Sequence, residues 1–323
     1  MNDSNDWLFS FLQQLNYTSS LIIGFFLIGL FFYLLKFKTC VQLKPYATIL
    51  MYSVISDGFY LLTTWFTQMR IKFVNPTIIA FFMGPIVLVK PQYQILVVGI
   101  WSTSLTLGFL TLFLMHYFRY FSIKNGCHPN SRQTVTCCLV VFLLAVGNFL
   151  MCVGPQFKFM FSSEIKETAF SNEKSSTAIW FITYVCAVVL FCYFGSLFLA
   201  TRTIRLTKTH SVLLSTRTVK MQNELGRALF IQRLIPLLSI GPSLLVHFFV
   251  FLNLNVQPFF ELAMLLISWY PVLNVMTILY TVKTYRQFIS QKLSNLFCRN
   301  REHVVDISVH QSTTHNTLLF HIA

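Results

Sequence analysis

Leu214–Pro242 reads LSTRTVKMQNELGRALFIQRLIPLLSIGP, and along it the chain passes from a basic segment into an apolar one. Arg217, Lys220 and Arg227 mark the polar start; Leu234 to Val250, almost wholly apolar, follows. Met221, Leu225, Ala228 and Leu229 recur at helical spacing, which predicts that the helix begins before the apolar run does. Arg227 and Arg233 stand at the boundary, where long basic side chains reach toward lipid headgroups. Pro236 and Pro242 interrupt the apolar part, each removing a backbone donor and favouring a kink. In lipid the freed carbonyls must be satisfied by neighbouring helices, side chains or water. Two readings stand side by side: a lever joining a polar arm to a kinked membrane helix, and a bundle helix with proline bends and a solvated end.

The rest of the chain extends this pattern. Of 323 residues 55% are hydrophobic and only 11% charged, less than half the roughly 25% usual in soluble proteins. Thirty-five phenylalanines exceed what a soluble core of this size holds. A polytopic membrane protein is therefore expected. The formal charge of +14 does not indicate nucleic acid, because the basic residues lie in short loops between apolar runs. The first 17 residues carry Asp3 and Asp6 but no Lys or Arg, the reverse of a cleavable leader's basic start. The eight cysteines include no CxxC, and the expected outer loops hold no clear pair for a disulfide.

Seven apolar segments are long enough to cross a core of about 30 Å, which takes around 20 helical residues. They are Thr18–Leu35, Tyr46–Thr67, Tyr93–Tyr117, Thr134–Val153, Thr177–Ala200, Ala228–Asn253 and Pro258–Val282. An eighth run, Phe73–Val89, is shorter and broken by Asn75, Pro76, Gly84 and Pro85. With seven spans and the N-terminus outside, 18 of the 24 Lys and Arg residues face the cytoplasm and six face out. Counting Phe73–Val89 as a span would turn the two most basic later loops outward. The excess of basic residues on the cytoplasmic side thus selects an all-α bundle of seven membrane helices, N-out and C-in. Phe73–Val89 becomes an interfacial or re-entrant outer segment. Residues 1–17 form an extracellular N-terminus, 18–282 the bundle and 283–323 a cytoplasmic tail. In that tail Tyr285 to Phe297 has the pattern of a short amphipathic helix.

The sequons at Asn2 and Asn16 both lie in the expected outer N-terminus and are candidate glycosylation sites. Cys298, beside Arg299 and Arg301 after the last span, is a palmitoylation candidate; an unmodified thiol is the alternative.

Ionisable residues within spans are costly and mark function by default. Asp57, in YSVISDGFYLL of the second span, is the clearest, as a structural polar node or as a switch. Asn148 and Asn274 are candidates for the same hydrogen-bonded network. Arg119 and Tyr120 end the third span in HYFRY; Arg119 is a boundary arginine, a contact for a cytoplasmic partner or an inactive-state lock. Gln94, Trp101, Tyr184, His247, Glu261 and Trp269 fall in the expected outer halves of four spans. Aromatic walls with a few polar groups suit a small organic ligand. Trp180 serves equally as an interfacial anchor. No nucleophile elbow, metal-ligand pair or phosphate loop appears, so neither catalysis nor a cofactor or metal is expected.

Four stretches carry a family resemblance: YATILMYSVISDGFY, HYFRYFSI, STRTVKMQNELGRALFIQRLIP and PVLNVMTILYTVKTYRQFI. With them the chain resembles the nematode serpentine chemoreceptors of the Str superfamily (classes such as Str, Srd and Srj) over most of its length. The third stretch, with Thr218, Gln222, Gln232 and Pro236, is the most specific. Three positions in two motifs depart from the pattern. Where the family has Pro-x-x-Asp-Pro in the seventh span, this chain has Pro271-Val-Leu-Asn274-Val275, and YRY after the third span appears as Phe118-Arg119-Tyr120. The resemblance implies a G-protein-coupled receptor for a small odorant or pheromone, in the plasma membrane, most specifically of sensory cilia. Its partners would be that ligand, a heterotrimeric G protein and membrane lipid. Arg217, Lys220 and Arg227, with Arg119 and Tyr120, would then form the coupling surface, and Pro236 would permit movement of the sixth helix. A seven-span ligand-gated cation channel and a small secondary transporter are the competing classes. The basic-residue count opposes the N-in orientation of the first, and neither inverted repeats nor paired intramembrane charges support the second.

Overall fold

The computed structural model describes residues 3–38, 44–74, 77–126, 129–154, 176–210, 226–227, 229–232, 234–235, 238, 241, 257–292 and 294. Their architecture is helical, with one small hairpin. In chain order the elements are α1 (Asp3–Phe37), α2 (Lys44–Thr67), β1 (Met69–Val74), β2 (Thr77–Phe82), a 3₁₀ turn (Pro85–Leu88), α3 (Pro91–Asn125), α4 (Ser131–Val153) and α5 (Ser176–His210). The described residues between 226 and 241 are helical and belong to α6. The chain continues with α7 (Gln257–Ser268), α8 (Tyr270–Thr281) and α9, residues 283–292.

Five of these helices are long and apolar enough to cross a membrane. The expected seventh span, Pro258–Val282, is a broken pair: α7 and α8 meet at Trp269 with a 43° bend. Pro271 explains the break, since it brings no N–H to the carbonyl one turn earlier. That carbonyl belongs to Ile267, and the Tyr60 hydroxyl from α2 lies 3.5 Å away, donating toward it. A neighbouring helix thus supplies what the proline withholds. Much of the sixth apolar run lies outside the described residues, Pro236 included.

The core is built where the helices face one another, from residues such as Phe31, Val54, Leu110, Val272 and Ile278. Large apolar side chains remain exposed on the outside, among them Phe26, Phe142 and Phe191. In water this would be a liability, whereas lipid tails cover it.

Two stretches take a definite form here. The run after α2 holds an antiparallel pair of strands, β1 and β2, in the register Met69↔Phe82 to Val74↔Thr77, followed by the 3₁₀ turn. Gln68 turns α2 into β1 with a left-handed backbone, φ 40°. Gly84 lets the chain return tightly over the end of α2. A Cβ there would stand 2.9 Å from the Trp65 carbonyl oxygen and closer still to that of Phe66. The second is the beginning of the chain. α1 begins at Asp3 and passes through Tyr17 without interruption, 35 residues in all. At 1.5 Å per residue it is about 52 Å long, some 20 Å more than a bilayer core requires.

At the opposite face, α3 ends at Gly126 in the left-handed region, φ 66°. α4 opens with a reciprocal capping box between Asn130 and Gln133. α9 packs back against α1: Tyr285 is buried with its ring edge-on to Phe31 at 5.8 Å, and Phe288 lies 6.2 Å from Tyr33.

Candidate functional site

Three polar layers are threaded through the bundle, one at the face carrying the N-terminus, one at mid-depth and one at the opposite face. The first closes the hairpin onto the helices. Arg70 on β1 donates from Nε and Nη2 to Glu261 Oε1 on α7, at 3.2 and 3.1 Å. Its guanidinium also lies 4.7 Å from the centre of the Phe9 ring and reaches Ser10 Oγ at 3.4 Å. The Met69 carbonyl accepts from Tyr17 Oη at 3.1 Å and Gln13 Nε2 at 3.3 Å. Residues of the first 17 positions are therefore the wall on which the hairpin rests.

Most of the outer ligand candidates that can be placed already hold structural hydrogen bonds. Glu261 is paired with Arg70. Gln94 is buried and donates to the carbonyls of Val89 and Ile86, at 3.1 and 3.5 Å, so it pins the 3₁₀ turn. Trp101 donates to Thr64 Oγ1 at 3.1 Å. Tyr184 donates to the Leu144 carbonyl at 3.0 Å and ties α5 to α4. Trp269, at the break of the seventh span, donates to Asn16 Oδ1 at 2.8 Å. Asn16 in turn donates from Nδ2 to Ser268 Oγ at 2.9 Å. Nδ2 is the atom that would carry a glycan, and here one of its hydrogens is directed at α7. His247, Asn2 and Cys298 lie outside the described residues.

The middle layer is a chain of three side chains from three helices. Gln232 on α6 donates through Nε2 to Asn274 Oδ1 at 2.5 Å. Asn274 on α8 donates through Nδ2 to Asp57 Oδ2 on α2 at 2.6 Å. All three are at least 98% buried. Asn148 does not join them. It donates to Ser102 Oγ at 3.0 Å, so its work is between α4 and α3. The two asparagines sit on helices whose polar faces point to different neighbours, a matter of rotation that spacing along the chain does not reveal. Tyr270 lies one turn before Asn274, its ring 6.4 Å from Tyr60 and 5.6 Å from Phe109.

The third layer is the HYFRY end of α3. Arg119 is buried, and its guanidinium approaches Gly226 of α6 closely. A Cβ at Gly226 would stand 2.6 Å from Nη2 and 2.8 Å from Nη1, so only glycine admits this approach. Tyr120 is half-buried with the Lys124 ammonium 5.8 Å from its ring. Arg227 is exposed beside Gly226. Arg217 and Lys220 lie outside the described residues.

Sequence reasoning set no role for Arg70, Ser268 or Gly226, and counted Gln232 only as part of a motif. A lone glutamine within the apolar LFIQRLI was the available signal for the last; nothing local marks the others.

A bundle whose sixth, seventh and second helices share one buried polar chain, with an arginine of the third against the sixth, has the build of a seven-transmembrane receptor. The crystal structure of squid rhodopsin superposes with a TM-score of 0.60 over 92% of this chain and 87% of that one, at 15% identity, which gives the same fold. The family model described as "Serpentine type 7TM GPCR chemoreceptor Srd" matches residues 14–291, and the chain belongs to that family. Among curated proteins it is similar to serpentine receptor class delta-32 of Caenorhabditis elegans, 21% identical over 284 residues that cover 83% of each chain. The class within the superfamily, open from the motifs alone, is thereby Srd.

Proposed function

We propose that this receptor binds a small environmental molecule from outside and activates a heterotrimeric G protein at the face carrying Arg119. The observation that carries the reading is the Gln232–Asn274–Asp57 chain, which joins α6 to the broken seventh span and to α2. Such a chain is either formed or broken, and a ligand acts by binding one arrangement more tightly than the other. Movement of α6 would separate Gly226 from Arg119 and open the third layer to a partner. The exposed Arg227, with the basic Arg217 and Lys220 of the preceding segment, suits an acidic partner surface and speeds encounter. The basic-residue asymmetry supports an extracellular N-terminus, and hence the plasma membrane, in keeping with a sensory ciliary surface. The ligand would be an odorant or pheromone of small size, received between the aromatic and polar side chains of the hairpin-covered half.

The experiment is an odorant panel applied to cells expressing the receptor with cAMP, cGMP and calcium reporters. The reading expects a ligand whose response disappears when the G protein is removed. A ligand-evoked current that persists without any G protein would overturn it in favour of a channel.

A further inference from the structure

A groove of about 260 Å³ opens on the outside of the bundle where the end of α3 meets the start of α4. Tyr117, Phe121, Pro129 and Cys137 line it as half-buried residues, and Arg132, Gln133 and Thr136 as exposed ones. Both helices are long and apolar enough to cross a membrane, and the groove lies at the ends of those stretches, where acyl chains would give way to headgroups. We propose that it is a binding site for an anionic phospholipid, with the phosphate on Arg132 and the first segment of an acyl chain against Tyr117 and Phe121.

Three observations converge on that occupant. Arg132 is exposed and, among the described residues, has no carboxylate partner. Gln133 uses Oε1 to accept from Asn130 N at 3.1 Å, which leaves its amide hydrogens without an acceptor among the described residues. Both stand in the first turn of α4, where the helix dipole adds positive potential to the rim. A site with a cation and donors at its mouth and aromatic carbon beneath suits an amphiphile, whereas a free anion leaves the aromatic wall unused. The surroundings add charge of the same sign: Lys124 ends α3 on this face. A basic rim at a leaflet surface attracts acidic lipid at about 1 kcal/mol per Lys or Arg, roughly a fivefold effect. The groove shares Tyr117 with the HYFRY segment, so an occupied site would bear on the helix end that holds Arg119. The identity of the leaflet rests on the orientation proposed above; the site itself does not.

The test uses full-length receptor in nanodiscs containing a photoreactive acyl-chain phosphatidylserine or, separately, the matching phosphatidylcholine, with crosslinked peptides mapped by mass spectrometry. Expected is labelling of residues 117–137 by the serine lipid over the choline lipid, reduced about fivefold in Arg132→Ala and kept in Arg132→Lys. Arg132 is exposed at a helix surface, so the substitution removes charge without opening a cavity. Equal labelling by both lipids, or labelling indifferent to Arg132→Ala, would overturn the proposal. Competition by soluble glycerophosphoserine as strong as by unlabelled phosphatidylserine would overturn it as well, in favour of a free-anion site. Both leaflets of the nanodisc have one composition, so failure here leaves the orientation and the receptor reading untouched.

Discussion

Asn274 donates a 2.6 Å hydrogen bond to Asp57 across 217 residues of chain. It holds that bond at a position where the resembled family carries an acid. An aspartate facing Asp57 would require one of the two to hold a proton, because like charges at this separation do not both ionise in a dry bundle. The amide removes that condition: it donates to Asp57 with one end and accepts from Gln232 with the other. Asparagine at 274 thus permits a directional relay of hydrogen bonds that a second acid facing Asp57 would not.

Asp57→Asn keeps an acceptor for Asn274, whereas Asp57→Leu leaves the Asn274 amide buried without one, at a cost of about 1–3 kcal/mol. The leucine variant is expected to show reduced surface level and a lower melting temperature in detergent, with the asparagine variant close to the parent. Surface immunostaining and a thermal unfolding assay measure this. Parent-like behaviour of Asp57→Leu in both would remove the node from the account.

Gln232→Leu cuts the relay at α6 while keeping an apolar surface. Losing one hydrogen bond of about 1 kcal/mol moves a two-state ratio roughly fivefold. Basal reporter output is therefore expected to change, with surface level held near the parent's. Unchanged basal output at equal surface level would show that the relay is indifferent to state.

Arg70 and Glu261 form an ion pair with side chains 9% and 14% exposed. Arg70→Ala takes the guanidinium from a largely buried carboxylate, and a loss of up to about 3 kcal/mol is expected. The double variant Arg70→Ala with Glu261→Ala should be less destabilised than the sum of the two single ones. A double-mutant cycle on thermal unfolding reads the coupling directly, and additivity would mean that the pair contributes nothing.

Gly226→Ala probes the inner face. The atoms that a new Cβ meets are the far end of the Arg119 side chain, which can move aside, so folding should suffer little. The contact between α3 and α6 should not survive. Expected is parent-like surface level with altered basal signalling; wild-type signalling would leave Arg119 as a boundary arginine only.

Epitope tags at the two ends should place the N-terminus outside and the C-terminus inside when cells are stained with and without permeabilisation. In the same cells Asn16→Gln should leave the glycosidase-sensitive mobility of the receptor unchanged, since the Asn16 amide is occupied by Ser268 and Trp269. A mobility shift on Asn16→Gln would mean that the α1–α7 contact opens in the cell.

What the sequence determined by itself was the medium, the helices and the family. Hydropathy, run length and the bias of Lys and Arg are properties of the chain taken in order, and a bilayer of fixed thickness converts them almost directly into spans. The motif LFIQRLIP and the departure at Asn274 were likewise legible, because they are strings. Tertiary structure decided which polar side chains meet. Asp57 finds Asn274 and not Asn148, Glu261 is taken by Arg70, and Asn16 faces Trp269 instead of solvent. Each pairing depends on how far one helix is rotated against another, and that rotation is set by packing between segments up to about 250 residues apart. The hairpin from Met69 to Phe82 belongs to the same category. A short apolar run fits strand or helix equally well in one dimension, and its state follows from Gln13, Tyr17 and Glu261, which hold it in place from elsewhere in the chain.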